Sequence, residues 1–175
     1  MAGTFVVLVF LALGAYSCSD LGTVAPGEND GTRVTDGVFF IGAIPGFPTS
    51  LRLEDSLGHA TTNVRAEDPL WLRYAALNRT GRTMTWSTAM AYPFARFLVK
   101  QGIDTVADSF SGMAFAAVVL NGVLYNGDSL TTRWRLDPAK YPLSPGSYTA
   151  VAVPTYVLGR TDIPDSKNAV FSIIP

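Results

Sequence analysis

The sequence predicts an all-β domain built as one antiparallel β-sandwich, and three observations lead to that prediction. The 175 residues include 16 Gly and 11 Pro, which interrupt helices and favour turns. Eight or nine short apolar or alternating runs follow one another from Ser50 onward, separated by turn signals. Long stretches with helical periodicity are few. Together these patterns are typical of an antiparallel sandwich.

The strand at 70–77 shows the alternation most clearly. Successive side chains of a strand point to opposite faces, so Leu70, Leu72, Tyr74 and Ala76 should share one buried face. The same alternation, or a short apolar run, marks each of the other strands. In chain order these predicted strands are 51–54, 83–87, 95–100, 113–120, 123–125, 130–136, 148–153 and 169–174.

Turn residues separate these runs. Residues 78–81, Asn-Arg-Thr-Gly, have the composition of a turn. Asn121 and Gly122 stand between the predicted strands 113–120 and 123–125, and Asn-Gly between apolar runs is the strongest short-range hairpin signal. We therefore predict a β-hairpin with its turn at these two residues.

The N-terminal segment predicts export. Residues 5–17 form one apolar run with small residues near its end, and it stops at Cys18, the only cysteine in the chain. This pattern is typical of a bacterial lipoprotein signal covering 1–17, with lipid attached at Cys18. It predicts anchoring on the periplasmic side of a bacterial membrane. A retained helix is the alternative, although the run is short against the roughly 20 residues that span a bilayer.

Residues 18–48 are predicted to form a tether followed by an apolar flap, ahead of a β-sandwich domain at 49–175. The stretch 19–37 is rich in turn-forming residues and poor in apolar ones, as flexible linkers are. The stretch 38–48 is apolar but broken by Gly and Pro, which excludes a long central strand. It is interpreted as a short edge strand or a flap over the core, and alternatively as an exposed segment that docks on a partner.

Composition argues against several classes of function. A formal net charge of −1 lacks the basic surface that nucleic-acid binding requires. One cysteine excludes an internal disulfide, and one histidine, His59, with one cysteine cannot form a zinc site. No phosphate-binding loop is present, and His59 lies in an apparent turn. We therefore expect no metal, no cofactor and no enzymatic activity.

Residues from about Leu70 to Val153 resemble the bacterial intracellular proteinase inhibitor family, the BsuPI domain. The similarity lies in a strand, an Asn-containing turn and a second strand, followed by an aromatic strand, a Gly-Glu-Ser turn leading to a Trp strand, and a closing Leu-x-x-Gly-x-Tyr element. In this chain the matching residues are 72–78, 83–86, Ser87, Phe94, Phe97, Val99, 124–130, Trp134 and 143–148.

The resemblance implies an immunoglobulin-like sandwich of seven to nine strands and protease inhibition. In such sandwiches a tyrosine at the position of Tyr148 bonds through its hydroxyl to upstream backbone. This chain departs from the family by its export signal, by the spacing from Thr88 to Pro93, and by Asp128 in place of a glutamate.

The functional expectation is a membrane-anchored, non-enzymatic module that binds or stabilises a protein partner, with an accessory subunit of a membrane complex as one form of that role. A periplasmic protease inhibitor is the alternative, and a hydrolase acting on carbohydrate or another substrate is a third reading. Aromatic side chains dominate contact energies at protein interfaces. The candidate contact residues are Phe39, Phe40, Phe47, Tyr92 and Phe110.

Overall fold

Thirteen β-strands and no helix make up the part of the chain that the computed structural model describes, residues 40–90, 94–115 and 117–175. The all-β prediction is confirmed. Within the same residues no helix of membrane-spanning length and hydropathy occurs. The segment 1–17, Cys18 and the tether 19–37 lie outside the described residues. The strands are β1 Phe40–Gly42, β2 Thr49–Glu54, β3 Asn63–Arg65, β4 Leu70–Leu77, β5 Met84–Met90, β6 Ala95–Gln101, β7 Asp104–Asp108, β8 Ala117–Leu124, β9 Ser129–Leu136, β10 Gly146–Pro154, β11 Val157–Leu158, β12 Asp162–Pro164 and β13 Lys167–Ile174.

The strands form three sheets. One has the order β2-β4-β9, a second β3-β13-β10-β6-β7, and a third β1-β12-β11-β5-β8. Neighbouring strands are antiparallel except in two pairs, β1 with β12 and β3 with β13, which are parallel. The third sheet collects strands from four separate parts of the chain, so its members lie far apart in sequence.

The inward faces of the sheets share one hydrophobic core. On β4 the predicted residues Leu70, Leu72, Tyr74 and Ala76 are all buried, because every second side chain of the strand turns inward. β6 and β10 contribute in the same way and pair directly with each other. Their buried side chains are Ala95, Phe97, Val99, Tyr148, Ala150 and Ala152.

The predicted hairpin at Asn121-Gly122 is wrong. β8 runs without a turn through both residues, which pair with Ser87 and Trp86 of β5. A Cβ atom at position 122 would lie 2.4 Å from ring carbons of Trp86, so the residue is glycine because the indole packs over it. Close approach by an aromatic ring, and not a turn, therefore explains this glycine.

The structure has more strands than the seven to nine expected, because several are short or polar. β11 and β12 contain two and three residues, and β3 contains three. β7, Asp104–Asp108, has an acidic residue at each end and a single buried position. Runs of this length and polarity show too little alternation to be recognised.

The apolar stretch 38–48 is partly an edge strand, one of its two predicted forms. β1 is the outermost strand of its sheet and pairs with β12, with Phe40 opposite Asp162. Phe47 follows in a turn and is only 3% exposed, as part of the core. The expectation that Phe47 contacts a partner is thus corrected, because its ring is already buried against the domain.

Candidate functional site

Of the four other predicted contact residues, the structure describes the surroundings of Phe110 alone. Phe39 and Tyr92 lie outside the described residues, and Phe40 is the first residue of β1. Phe110 is half-buried in the turn after β7, where its ring centroid is 4.5 Å from that of Phe115. The guanidinium of Arg96 lies 5.6 Å from the Phe110 ring on another side.

The Phe110 turn is held by a bidentate ion pair. Arg96 donates to Asp108 from Nε, at 3.0 Å, and from Nη2, at 2.5 Å. The hydrogen bond from Arg96 lowers the pKa of the Asp108 carboxyl, with a further contribution from the Phe110 N–H. Bidentate, charge-assisted hydrogen bonds between arginine and a carboxylate have a fixed geometry. Since the Phe110 N–H also donates to Asp108, this ion pair holds Phe110 in place within the turn.

His59 lies in the turn that the sequence predicted. Asp55 accepts hydrogen bonds from the N–H groups of Leu57 and His59, and His59 Nδ1 is 3.4 Å from Asp55 Oδ2. The backbone N–H of His59 is the main cause of the lowered pKa of Asp55. Across the described ranges no three His, Cys, Asp or Glu side chains gather in a way that would hold a metal ion.

The most unusual surface is the free side of β8. β8 is the outermost strand of its sheet, and no described strand pairs with it on the far side. Its outward-facing side chains include Val119, 65% exposed, and Val123, 51% exposed, and Tyr125 just beyond the strand is 63% exposed. We call Val119, Asn121, Val123 and Tyr125 the β8 edge.

One observed hydrogen bond determines which backbone groups of β8 face outward. Thr85 O accepts from Gly159 N at 2.8 Å, so the polar groups of Thr85 point toward β11. The backbone N–H and C=O groups of successive strand residues point to opposite sides of the strand, so those of Trp86 point toward β8. There they face Gly122, which is the register partner of Trp86. Residues of β8 on either side of Gly122 therefore direct their N–H and C=O groups away from the sheet.

By this alternation the free backbone groups belong to Asn121 and Val123, because the register of β8 with β5 is regular only from Leu120 to Leu124 and shifts between Ala117 and Leu120. The row ends at Tyr125, whose N–H donates to Asp128 Oδ2 at 2.9 Å and whose C=O accepts from the Asp128 N–H. The β8 edge thus offers two residues, Asn121 and Val123, with backbone donors and acceptors in line, together with the exposed side chains of Val119 and Val123.

The other long edge strands carry charges that discourage such pairing. Charged side chains on an edge strand oppose addition of a further strand. β2 contains Arg52 and Glu54, β9 contains Arg133 and Arg135, and β3 and β7 also carry charged residues. β8 contains none in eight residues, and β1, also uncharged, is only three residues long.

Comparison with known proteins identifies no family for this chain. No protein-family model and no curated protein sequence matches it. Among solved structures, a β-glucosidase from Erythrobacter marinus aligns with 73% of this chain at 12% identity and a TM-score of 0.40. The chain spans only 15% of the length of that protein.

This neighbour contradicts the expectation that the chain is not an enzyme, and that expectation is withdrawn. With a TM-score of 0.40 and 12% identity, the neighbour gives no positive sign of enzyme activity either. The likeness therefore carries no argument about the substrate or the reaction of this chain.

Proposed function

We propose that this protein is a membrane-anchored, extracytoplasmic β-sandwich that binds a protein partner by pairing the β8 edge with an extended strand of that partner. The observation that carries the proposal is an eight-residue edge strand with no charged side chain and no described neighbour. Such edges are templates for an added strand unless charge, bulges or a cover block them. The register shift of β8 against β5 lies at the start of the strand, between Ala117 and Leu120, and leaves residues 120–124 regular.

The strand arrangement supports an immunoglobulin-like form of the sandwich. β3 pairs in parallel with β13, and β10 lies between β13 and β6. Tyr148, early in β10, donates from its hydroxyl to Ser144 O at 2.7 Å, which is the hydrogen bond predicted for it. A tyrosine that bonds backbone a few residues upstream is typical of immunoglobulin-like domains at this corner.

The edge also defines the chemistry of the partner strand. Main-chain hydrogen bonds to Asn121 and Val123 supply affinity for any extended segment. Val119 and Val123 would lie beside the partner's own side chains, and β-branched or aromatic cross-strand neighbours stabilise such pairs. We therefore expect an extended, uncharged segment rich in Val, Ile or aromatic residues.

The anchor half of the proposal rests on residues 1–18. The apolar run ending at Cys18 supports lipid attachment, and stable anchoring requires more than one acyl chain. Intact mass spectrometry of the protein from native membranes tests it. A chain that begins at Cys18 and carries thioether lipid supports a lipoprotein, whereas an unmodified chain that begins at Met1 supports a retained segment.

Site-specific photo-crosslinking in native membranes tests the β8 edge. A photoreactive residue at position 121 should yield one discrete adduct with a second protein, and the same probe at position 170 should not. Val170 is the matched control position, because it is a strand valine 63% exposed on a different sheet. Val119→Lys with Val123→Lys should abolish the adduct, and Val170→Lys should leave it intact.

The crosslinked peptide of the partner should come from an uncharged β-strand. An adduct with a second copy of this chain, an adduct that survives the two lysines, or no adduct at all would each overturn the proposal. Amide hydrogen exchange adds a second readout. The amides of Asn121 and Val123 should exchange fast in the free protein and slowly in the complex.

Protease inhibition is a second candidate, favoured by the sequence resemblance of residues 70–153 to an inhibitor family. Titration of the purified protein against a panel of serine proteases tests it. Stoichiometric inhibition that persists in the Val119→Lys, Val123→Lys variant would support an inhibitory site elsewhere on the domain. Absence of inhibition at micromolar concentration would remove this candidate.

A further inference from the structure

Three arginines stand directly opposite one another across the sheet β2-β4-β9. Arg52 of β2 pairs in register with Arg73 of β4, and Arg73 pairs with Arg133 of β9. Strands in a sheet are about 4.8 Å apart, so the three Cα atoms span roughly 10 Å. We call Arg52, Arg73 and Arg133 the arginine row.

Like charges placed directly opposite each other destabilise a sheet. One carboxylate, Glu54, serves all three guanidinium groups of the row. Glu54 Oε1 lies 3.5 Å from Arg52 Nε and 3.7 Å from Arg73 Nη1. Its other oxygen, Oε2, lies 3.3 Å from Arg133 Nη2. The row with Glu54 therefore carries a formal charge of +2 on a chain whose net charge is −1.

The geometry of the row leaves its outer side open. The Glu54 side chain is only 5% exposed and lies beneath the arginines, whose side chains are 41% to 52% exposed. The Arg133 guanidinium is 4.1 Å from the centroid of the Trp71 ring, a stacking contact that restricts its orientation. Each guanidinium has five N–H donors, far more than one carboxylate can accept.

We propose that the arginine row binds a phosphate-class oxyanion, either a phosphate ester on a lipid headgroup or a soluble di- or polyphosphate. Planar guanidinium groups bind phosphate oxygens in a bidentate manner, and the row presents three of them side by side. A phosphate-class dianion offsets the +2 charge that Glu54 leaves uncompensated. This proposal is independent of strand pairing at the β8 edge, because the row lies on a different sheet.

Calorimetric titration of the full-length protein with pyrophosphate tests the row in solution. We expect saturable binding that weakens as salt rises. Arg73→Gln, at the centre, should weaken it at least tenfold, and replacing all three arginines with Gln should abolish it. Arg82→Gln is the matched control, because Arg82 is exposed on the turn before β5 and lies outside the row.

Glu54→Gln separates a binding site from a merely structural ion-pair network. Removal of this carboxylate raises the formal charge of the row to +3, so pyrophosphate should bind the variant more tightly and raise its Tm more than that of the parent protein. A purely structural network predicts a lower Tm with no ligand effect. If this variant does not fold, the Arg73→Gln comparison still decides the proposal.

Vesicle sedimentation identifies the source of the phosphate. Binding to phosphatidylglycerol vesicles, with none to phosphatidylcholine and loss in Arg73→Gln, assigns the row to anionic headgroups. Binding of pyrophosphate alone assigns it to a soluble ligand. Binding of neither, equal losses in Arg82→Gln and Arg73→Gln, or preference for a polyglutamate peptide over pyrophosphate would overturn the proposal.

Discussion

The hydroxyl oxygens of Tyr74 and Tyr156 lie 3.1 Å apart inside the core. Tyr74 belongs to β4, and Tyr156 lies between β10 and β11, where the chain passes from the second sheet to the third. The ring of Phe94 meets that of Tyr156 edge-on, with centroids 6.0 Å apart. One buried polar contact therefore joins β4 to the segment that connects the second sheet with the third.

Removing both hydroxyls of this pair should cost less than the sum of the two single removals. Tyr74→Phe leaves the Tyr156 hydroxyl buried without its tyrosine partner, which costs about 1–3 kcal/mol, and Tyr156→Phe does the same to Tyr74. In the double variant neither hydroxyl is present, so none is left buried without a partner. Its loss of unfolding free energy should therefore be smaller than the sum of the two single losses. Urea denaturation of all four proteins measures the coupling.

Tyr125→Phe is the control for that cycle, since Tyr125 is 63% exposed and its change should leave the free energy of unfolding nearly unaltered. Strictly additive losses at positions 74 and 156 would show that the two hydroxyls do not depend on each other.

Stability should fall at alkaline pH because of the same pair. Burial raises the pKa of Tyr74 to about 12, and burial together with the neighbouring Tyr74 raises the pKa of Tyr156 as well. Below pH 10 both tyrosines are protonated in the folded and unfolded chains. Above pH 10 the unfolded chain releases protons that the folded chain retains, so stability decreases as pH rises toward 12.

Thermal unfolding between pH 8 and pH 11.5 measures this effect. The Tm of the parent protein should decline more steeply above pH 10 than that of the variant with Phe at both positions. Parallel declines would show that other groups cause the alkaline loss.

Gly122→Ala should weaken the pairing of β8 with β5. The new Cβ would lie 2.4 Å from the Trp86 ring, and such overpacking costs about 1–3 kcal/mol. Trp86→Leu shortens the side chain that packs over position 122. In that background Gly122→Ala should lower the free energy of unfolding by less than it does when tryptophan is present. Chemical denaturation of the single and double variants checks this, and a neutral Gly122→Ala would mean that the indole moves aside freely.

Asn78→Asp should destabilise the fold by at least about 2 kcal/mol. The Asn78 side chain is fully buried, and its Nδ2 donates to Arg82 O at 2.8 Å and to Leu124 O at 2.9 Å. Aspartate cannot donate these bonds and would place a charge against two carbonyl oxygens. Asn126→Asp should be nearly neutral, because exposed Asn126 acts as an acceptor for the Gly81 N–H. Differential scanning calorimetry compares the two, and equal losses would contradict this account.

Features that depend on neighbouring residues in the sequence were predictable. The buried face of β4 and the extent of β9 follow from alternation, which is set locally by the strand backbone. The extent of β10 and β13 follows from short apolar runs. The Tyr148 hydrogen bond spans only four residues and was expected from the resemblance to immunoglobulin-like sandwiches. The uncharged composition of β8 was also visible in the sequence, although its position at a sheet edge was not.

Long-range pairing decided the rest. Asn121-Gly122 has the local chemistry of a turn, but both residues are extended because they pair with Ser87 and Trp86 of β5, which lie more than 30 residues earlier in the chain. Register alone places Arg52, Arg73 and Arg133 in one row, since each lies in a different strand. By itself the sequence determined an all-β chain and where its main strands lie. The tertiary structure decided which strands lie at edges and which charges meet, because strand order depends on contacts between residues far apart in the chain.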